Sequence, residues 1–102
     1  MVVVIAGVGT EKGFLAACKA QEHRHKVYGV DAVELTDLRY KDLVKNAPGC
    51  YYKKVDLENE LHFLWEVGML KPDMVVDCTA YPKETAVVQK VCKQKHWEYN
   101  RV

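Results

Sequence analysis

The chain opens on Val2, Val3, Val4 and Ile5, an unbroken β-branched run, and glycines follow at once at positions 7, 9 and 13. An apolar run without alternation suits a central parallel strand that is buried on both faces. The glycines then mark a sharp turn into a helix. Gly7 suits the tight turn, Gly9 the close approach of a ligand, and Gly13 the close packing of helix on sheet. The backbone amides from Val8 through Gly9, Thr10, Glu11 and Lys12 to Gly13 converge beside the positive end of that helix, an arrangement that receives a phosphate.

The glycine spacing is G-x-G-x-x-x-G, one residue longer than the usual dinucleotide fingerprint. Its context adds to it. A second strand, His25 to Val30, ends at Asp31, a little over ~20 residues past the first glycine, where an acid accepts hydrogen bonds from a ribose diol. The plainer reading is a glycine turn of a doubly wound fold that binds no dinucleotide, with Asp31 an ordinary strand-end acid.

The remaining chain alternates in the same way. Thr10 or Glu11 starts the first helix, with Phe14, Leu15, Ala17 and Cys18 on its packed face. Glu34 to Lys45 reads as a less regular helix that stops at Pro48-Gly49. Residues 50 to 56 form a third strand, and Leu57, Leu61, Leu64, Trp65 and Gly68 recur at helical spacing after it. Met74, Val75 and Val76 make a fourth strand. Pro82 suits the first turn of a last helix, whose buried stripe is Val87, Val88, Val91 and Cys92, and Trp97 to Val102 form a fifth strand. Strands joined by helices of this length form a parallel sheet with right-handed crossovers, covered on both faces. The ligand crevice then lies outside the carboxyl ends of the strands, which aligns the glycine turn, Asp31, Asp56 and the stretch Asp77 to Ala80 on one edge.

Composition narrows the partners. The 102 residues make one small domain, residues 1–102, with 15 basic and 14 acidic side chains that are interleaved and sum to +1, so nothing recommends nucleic acid as a partner. No apolar run approaches ~18 residues and no charged leader precedes the first strand, which argues against membrane spanning and secretion. Four cysteines without a C-x-x-C pair suit a reducing cytoplasm. Cys18 and Cys92 read as core residues, and Cys78 is the one near the functional edge. His23 and His25 stand two apart on a helix end, and neither His62 nor His96 has ligands at metal spacing, so no metal is expected. Lys12 lacks the G-K-[ST] order of a P-loop. Tyr51, Tyr52 and Tyr81 read as packing residues.

GVGTEKG, VYGVD, KKVDLENE and KPDMVVDCTAYP together resemble the nucleotide-binding half of NAD(P)-dependent oxidoreductases. The resemblance is nearest to extended short-chain dehydrogenases and epimerases and to dihydrodipicolinate reductase-like domains. It implies an α/β, three-layer, Rossmann-like doubly wound parallel sheet of about five strands in the order 3-2-1-4-5. By resemblance, Asp31 and Ala32 lie at the adenosine ribose, Asp56 and Leu57 at the adenine, and Cys78, Thr79 and Ala80 near the nicotinamide ribose. It also implies NAD in preference to NADP, since Ala32, Val33 and Glu34 follow Asp31 and the first downstream arginine is Arg39. No catalytic residue is assigned, because Tyr81 has Thr85 rather than lysine four residues on. The expected function is the dinucleotide-binding domain of an oxidoreductase, with its substrate domain missing or supplied by a partner chain or homo-oligomer, or else a redox-sensing module. Two other readings stay open. One is an S-adenosylmethionine-binding methyltransferase-like domain, although Ile5 replaces the acid usual before its first glycine. The other is a protein-interaction scaffold.

Overall fold

A computed structural model describes residues 1–34, 45 and 47–102. Five strands form one sheet: β1 (Val2–Ala6), β2 (Lys26–Asp31), β3 (Cys50–Lys54), β4 (Met74–Asp77) and β5 (Glu98–Arg101). Their order is β3-β2-β1-β4-β5 and every pairing is parallel. The β-branched run is the central strand, with Val3 registered on Val27 and Val4 on Val75. Between the strands lie helices α1 (Glu11–Glu22), α2 (Glu60–Gly68) and α3 (Pro82–Lys95). The sequence-based helix over Glu34 to Lys45, with Arg39 in it, falls almost wholly outside the described residues.

Alternation along β1 divides the core into two layers. Val3 and Ile5 pack with Val8, Ala17 and Val27 on the α1 face, whereas Val4 and Ala6 pack with Phe63, Val67, Val88 and Val91 on the α2 and α3 face. Each of these side chains is essentially out of water, which contributes about 1.5–3 kcal/mol for each large one. This two-sided burial is why β1 needs no polar residue between Val2 and Ala6. Among the described residues, no helix is long and apolar enough to cross a membrane.

The helix starts follow from capping. Thr10 accepts from the Gly13 amide at 2.9 Å and starts α1, Asn59 accepts from the His62 amide at 3.0 Å and starts α2, and Pro82 is the first residue of α3. The second helix therefore begins at Glu60 and not at Leu57, which precedes it and lies buried in the core. Its packed face differs in part: Leu64 packs against the core and Phe63 and Val67 are buried, while Leu61 and Trp65 are 76% and 70% exposed. Both pairs have i, i+4 spacing, so periodicity alone does not choose between them. On α1, Ala17 is buried and Phe14 and Cys18 partly so, but Leu15 faces solvent.

Candidate functional site

The turn between β1 and α1 is fixed by its backbone. Gly7 adopts φ +82° and donates its amide to the Val30 carbonyl at 2.9 Å. A Cβ on Gly7 would stand 2.9 Å from the backbone of Cys78 and Thr79, and one on Gly13 would stand 2.1 Å from the Gly7 carbonyl oxygen. Both positions therefore exclude any side chain, one because β4 passes beside the turn and the other because α1 starts on top of it. Gly7 and Gly13 thus each require glycine, with Thr10 midway as the helix cap. Its hydroxyl is 2.8 Å from the Gly7 carbonyl and 3.1 Å from that of Cys78, which ties the loop to β4.

Asp31 reaches back across the sheet edge to this loop. Its Oδ2 accepts the Gly9 amide at 2.8 Å and its Oδ1 accepts the Ala32 amide at 2.7 Å, and the residue is only 9% exposed. Each carboxylate oxygen keeps a second acceptor site. Not every loop amide faces outward. Val8 donates to the Val30 carbonyl, Gly9 to Asp31 and Thr10 to the Gly7 carbonyl, whereas Gly13 is held by the Thr10 hydroxyl. The amides of Glu11 and Lys12, the first two of α1, have no acceptor among the described residues, as expected for the first turn of a helix.

Three cavities run along the carboxyl edge of the sheet. One of about 420 Å³ lies over β3 and is lined by Ala32, Lys54, Asp56 and His62. Asp56 accepts from the Glu58 amide at 3.0 Å, a local turn that leads into α2, and its own amide donates to His62 Nδ1 at 3.0 Å. A second cavity, about 300 Å³, lies beside the glycine turn and includes Gly7, Gly9, Thr10, Asp31, Ala80 and Glu84. The third, about 370 Å³, lies over β4 and β5, where Thr10, Glu11 and Lys12 meet Cys78, Thr79, Ala80 and Arg101. Thr10 and Ala80 line both the second and the third, so these two are neighbours.

Eleven of the 14 sequence-nominated positions line these three cavities, and the exceptions are informative. Val8, Gly13 and Leu57 are buried and act as packing under the crevice. Thr79 lines the third cavity but is only 3% exposed, with its hydroxyl donated to Asp77 Oδ1 at 2.6 Å and lying 2.8 Å from that of Thr85. Tyr52 and Tyr81 are more than packing residues. The Tyr52 hydroxyl meets the carbonyls of Asp31 and Val33 and so ties the turn after β2 to β3. Tyr81 is exposed on the wall of the second cavity.

Sequence reasoning missed Glu84 and Arg101. Glu84 stands in the first turn of α3 on the wall it shares with Asp31. Its carboxyl is held above the usual range, first by burial and then by the charge of Asp31. Its signal was its place two residues after a helix-starting proline at the crevice edge. Arg101 ends β5, and the rule that placed Asp31 and Asp56 at strand ends applies to it equally. Burial pushes the Cys78 thiol up to about 11, which disfavours its thiolate at neutral pH. Among the described residues, no group of three His, Cys, Asp or Glu is placed to hold a metal.

No protein-family model and no curated protein matches the chain. Solved structures do match. Leucoanthocyanidin reductase of Vitis vinifera, solved with NADPH, superposes with a TM-score of 0.81 at 13% identity, over 97% of this chain and 35% of that one. UDP-glucose 4-epimerase of Thermotoga maritima, solved with UDP-glucose, gives 0.78 at 13% identity over 99% and 37%. The enzyme WbmH of Bordetella bronchiseptica, solved with NAD+, gives 0.74 at 19% identity over 93% and 36%. The fold is a Rossmann fold. The chain thus spans little more than a third of the length of these proteins, and at such identities the likeness is one of architecture. Within the Rossmann fold, the three cavities occupy the crevice that the strand order creates where β1 leaves for β2 on one side and β4 on the other.

Proposed function

We propose that the chain binds a dinucleotide, NAD(H) in preference to NADP, along the carboxyl edge of its sheet. It serves as the nucleotide-binding domain of an oxidoreductase or as a redox-sensing module. The observation that carries this reading is Asp31, whose carboxylate is locked onto the Gly9 amide at the mouth of the cavity beside the glycine turn. Held there, it presents its remaining acceptor sites to a ribose diol while the first amides of α1 meet the diphosphate. Structural neighbours crystallised with NAD+ and NADPH support a dinucleotide as the ligand.

Read along the edge, the cavity with Asp56 takes the adenine, that with Asp31 the adenosine ribose, and that over β4 and β5 the nicotinamide side. The substrate-holding part comes from a further domain, a partner chain or a second copy. Four cysteines, none of them in a disulfide, suit a reducing, cytoplasmic setting. Backbone amide shifts followed during titration with NAD, NADP and S-adenosylmethionine test the reading. The expected result is saturable shifts at residues 7–13 and 31–32 with NAD. Shifts with S-adenosylmethionine alone, or with none of the three, would overturn it.

A further inference from the structure

The two neighbouring cavities of the crevice differ in charge. Among the described residues, the wall around Asp31 also carries Glu84 and no cationic side chain, whereas the cavity over β4 and β5 carries both Lys12 and Arg101. A dinucleotide laid along this edge must put its two phosphate charges somewhere, and the acidic wall is the less favourable place. We propose that the cavity over β4 and β5 is an oxyanion subsite in which Arg101, seconded by Lys12, receives the nicotinamide-side phosphate of the bound dinucleotide. This rests on the dinucleotide reading and adds to it a residue that the glycine turn does not contain.

Arg101 is placed rather than merely nearby. Its Nη1 lies 3.1 Å from the Asp77 carbonyl and 3.2 Å from Asp77 Oδ1. Asp77 is fully buried, and its carboxylate also accepts from the Thr79 hydroxyl at 2.6 Å, the Thr79 amide at 3.0 Å and the Tyr99 hydroxyl at 2.6 Å. Four donors fix that carboxylate in orientation, and the carboxylate fixes one nitrogen of the guanidinium. The other guanidinium N–H groups have no acceptor among the described residues, and the side chain is 42% exposed at the cavity. A planar fork held by one tine and open at the other suits a phosphate oxygen.

Position along the crevice selects the phosphate. With the adenosine ribose at Asp31, the next group towards β4 is the diphosphate, and the next wall after Thr10 and Ala80 carries Lys12 and Arg101. Glu11 and Lys12, whose amides have no acceptor among the described residues, line the same wall. The charges of Lys12 and Arg101 both act on the buried Cys78 thiol, so they lie within electrostatic reach of one point. Glu11 is the opposing charge on this wall, but it is exposed and water screens it.

Titration calorimetry with NAD and with AMP, on the unmodified chain, Arg101→Gln and Lys12→Gln, tests the assignment. AMP reports the adenosine half alone. The expected result is a roughly tenfold loss of NAD affinity in Arg101→Gln and a smaller loss in Lys12→Gln, with AMP affinity within about twofold in both. Lys12→Gln leaves Asp77 and its four donors untouched, so its loss does not depend on how Arg101→Gln folds. Unchanged NAD affinity in both variants, with AMP still bound, would overturn the subsite and leave the adenosine reading standing. Equal losses of NAD and AMP in Lys12→Gln would also overturn it. An unmodified chain that binds neither AMP nor NAD would overturn the dinucleotide reading, and the subsite with it.

Discussion

The ends of the crevice on either side of Thr10 are built from the same kind of parts and carry opposite character. Towards β2, Asp31 and Glu84 face a cavity with no cation among the described residues, whereas towards β5, Lys12 and Arg101 face one whose nearest buried acid is already surrounded by donors. The first wall accepts hydrogen bonds and repels anions. The second donates them. A ligand with hydroxyls at one end of a linker and a phosphate at the other is thereby given a direction, which neither the sheet nor the glycine turn alone supplies.

The largest effect comes from removing the turn on which both ends depend. Gly13→Val drives a branched side chain into the Gly7 carbonyl, which a Cβ would already approach to 2.1 Å. We expect a loss of about 3 kcal/mol or more, read as a lower denaturation midpoint, and wild-type stability would contradict the packing described. Gly9→Val comes next and acts on the ligand. Gly9 lines the Asp31 cavity, and a branched side chain there should abolish NAD binding in a chain that still melts cooperatively. A folded Gly9→Val protein with unchanged affinity would remove the diphosphate from the turn.

Two smaller changes sharpen the comparison. Asp56→Ala should weaken NAD by about 1 kcal/mol, one hydrogen bond at an exposed site. The cap of α2 is Asn59, so the melting temperature should fall only slightly, through loss of the bond to the Glu58 amide. A large fall in stability with no change in affinity would make Asp56 purely structural. Glu84 offers a pH signature. Its carboxyl is held above the usual range, so acidification neutralises it before an ordinary glutamate and lifts its repulsion from the phosphates. NAD affinity should rise about two- to threefold as pH falls towards that range, and Glu84→Gln should show the higher affinity at all pH values. A pH dependence that survives in Glu84→Gln would assign it to another group.

Much of this arrangement was legible because it is local. The run from Val2 to Asp31 encodes strand, turn, cap, helix, strand and acid within a single crossover, and each step has a short-range cause. The helix after β3 was not legible to the same degree. Leu61 with Trp65 and Phe63 with Val67 offer equivalent stripes, and the choice between them is made by the sheet and α3, which periodicity does not see. The glycine turn was legible as a motif, but the reason for each glycine was not, since the steric demands at Gly7 and Gly13 come from β4 and α1, which approach there. Glu84 and Arg101 escaped because an acid in a first turn and a base at a strand end are ordinary local choices. Only the strand order brings them to the crevice.

The ribose site rests on the carboxylate of Asp31, and the measurement that tests it is the affinity of the unmodified chain for NAD against NADP in low salt, where repulsion is least screened. A 2′-phosphate would set its charge against Asp31, with Glu84 on the same wall. NAD should bind more tightly. Asp31→Ala should narrow the gap from both sides, since it removes the ribose acceptor and the repulsion together. NADP bound as tightly as NAD by the unmodified chain would contradict the placement of Asp31 at the ribose.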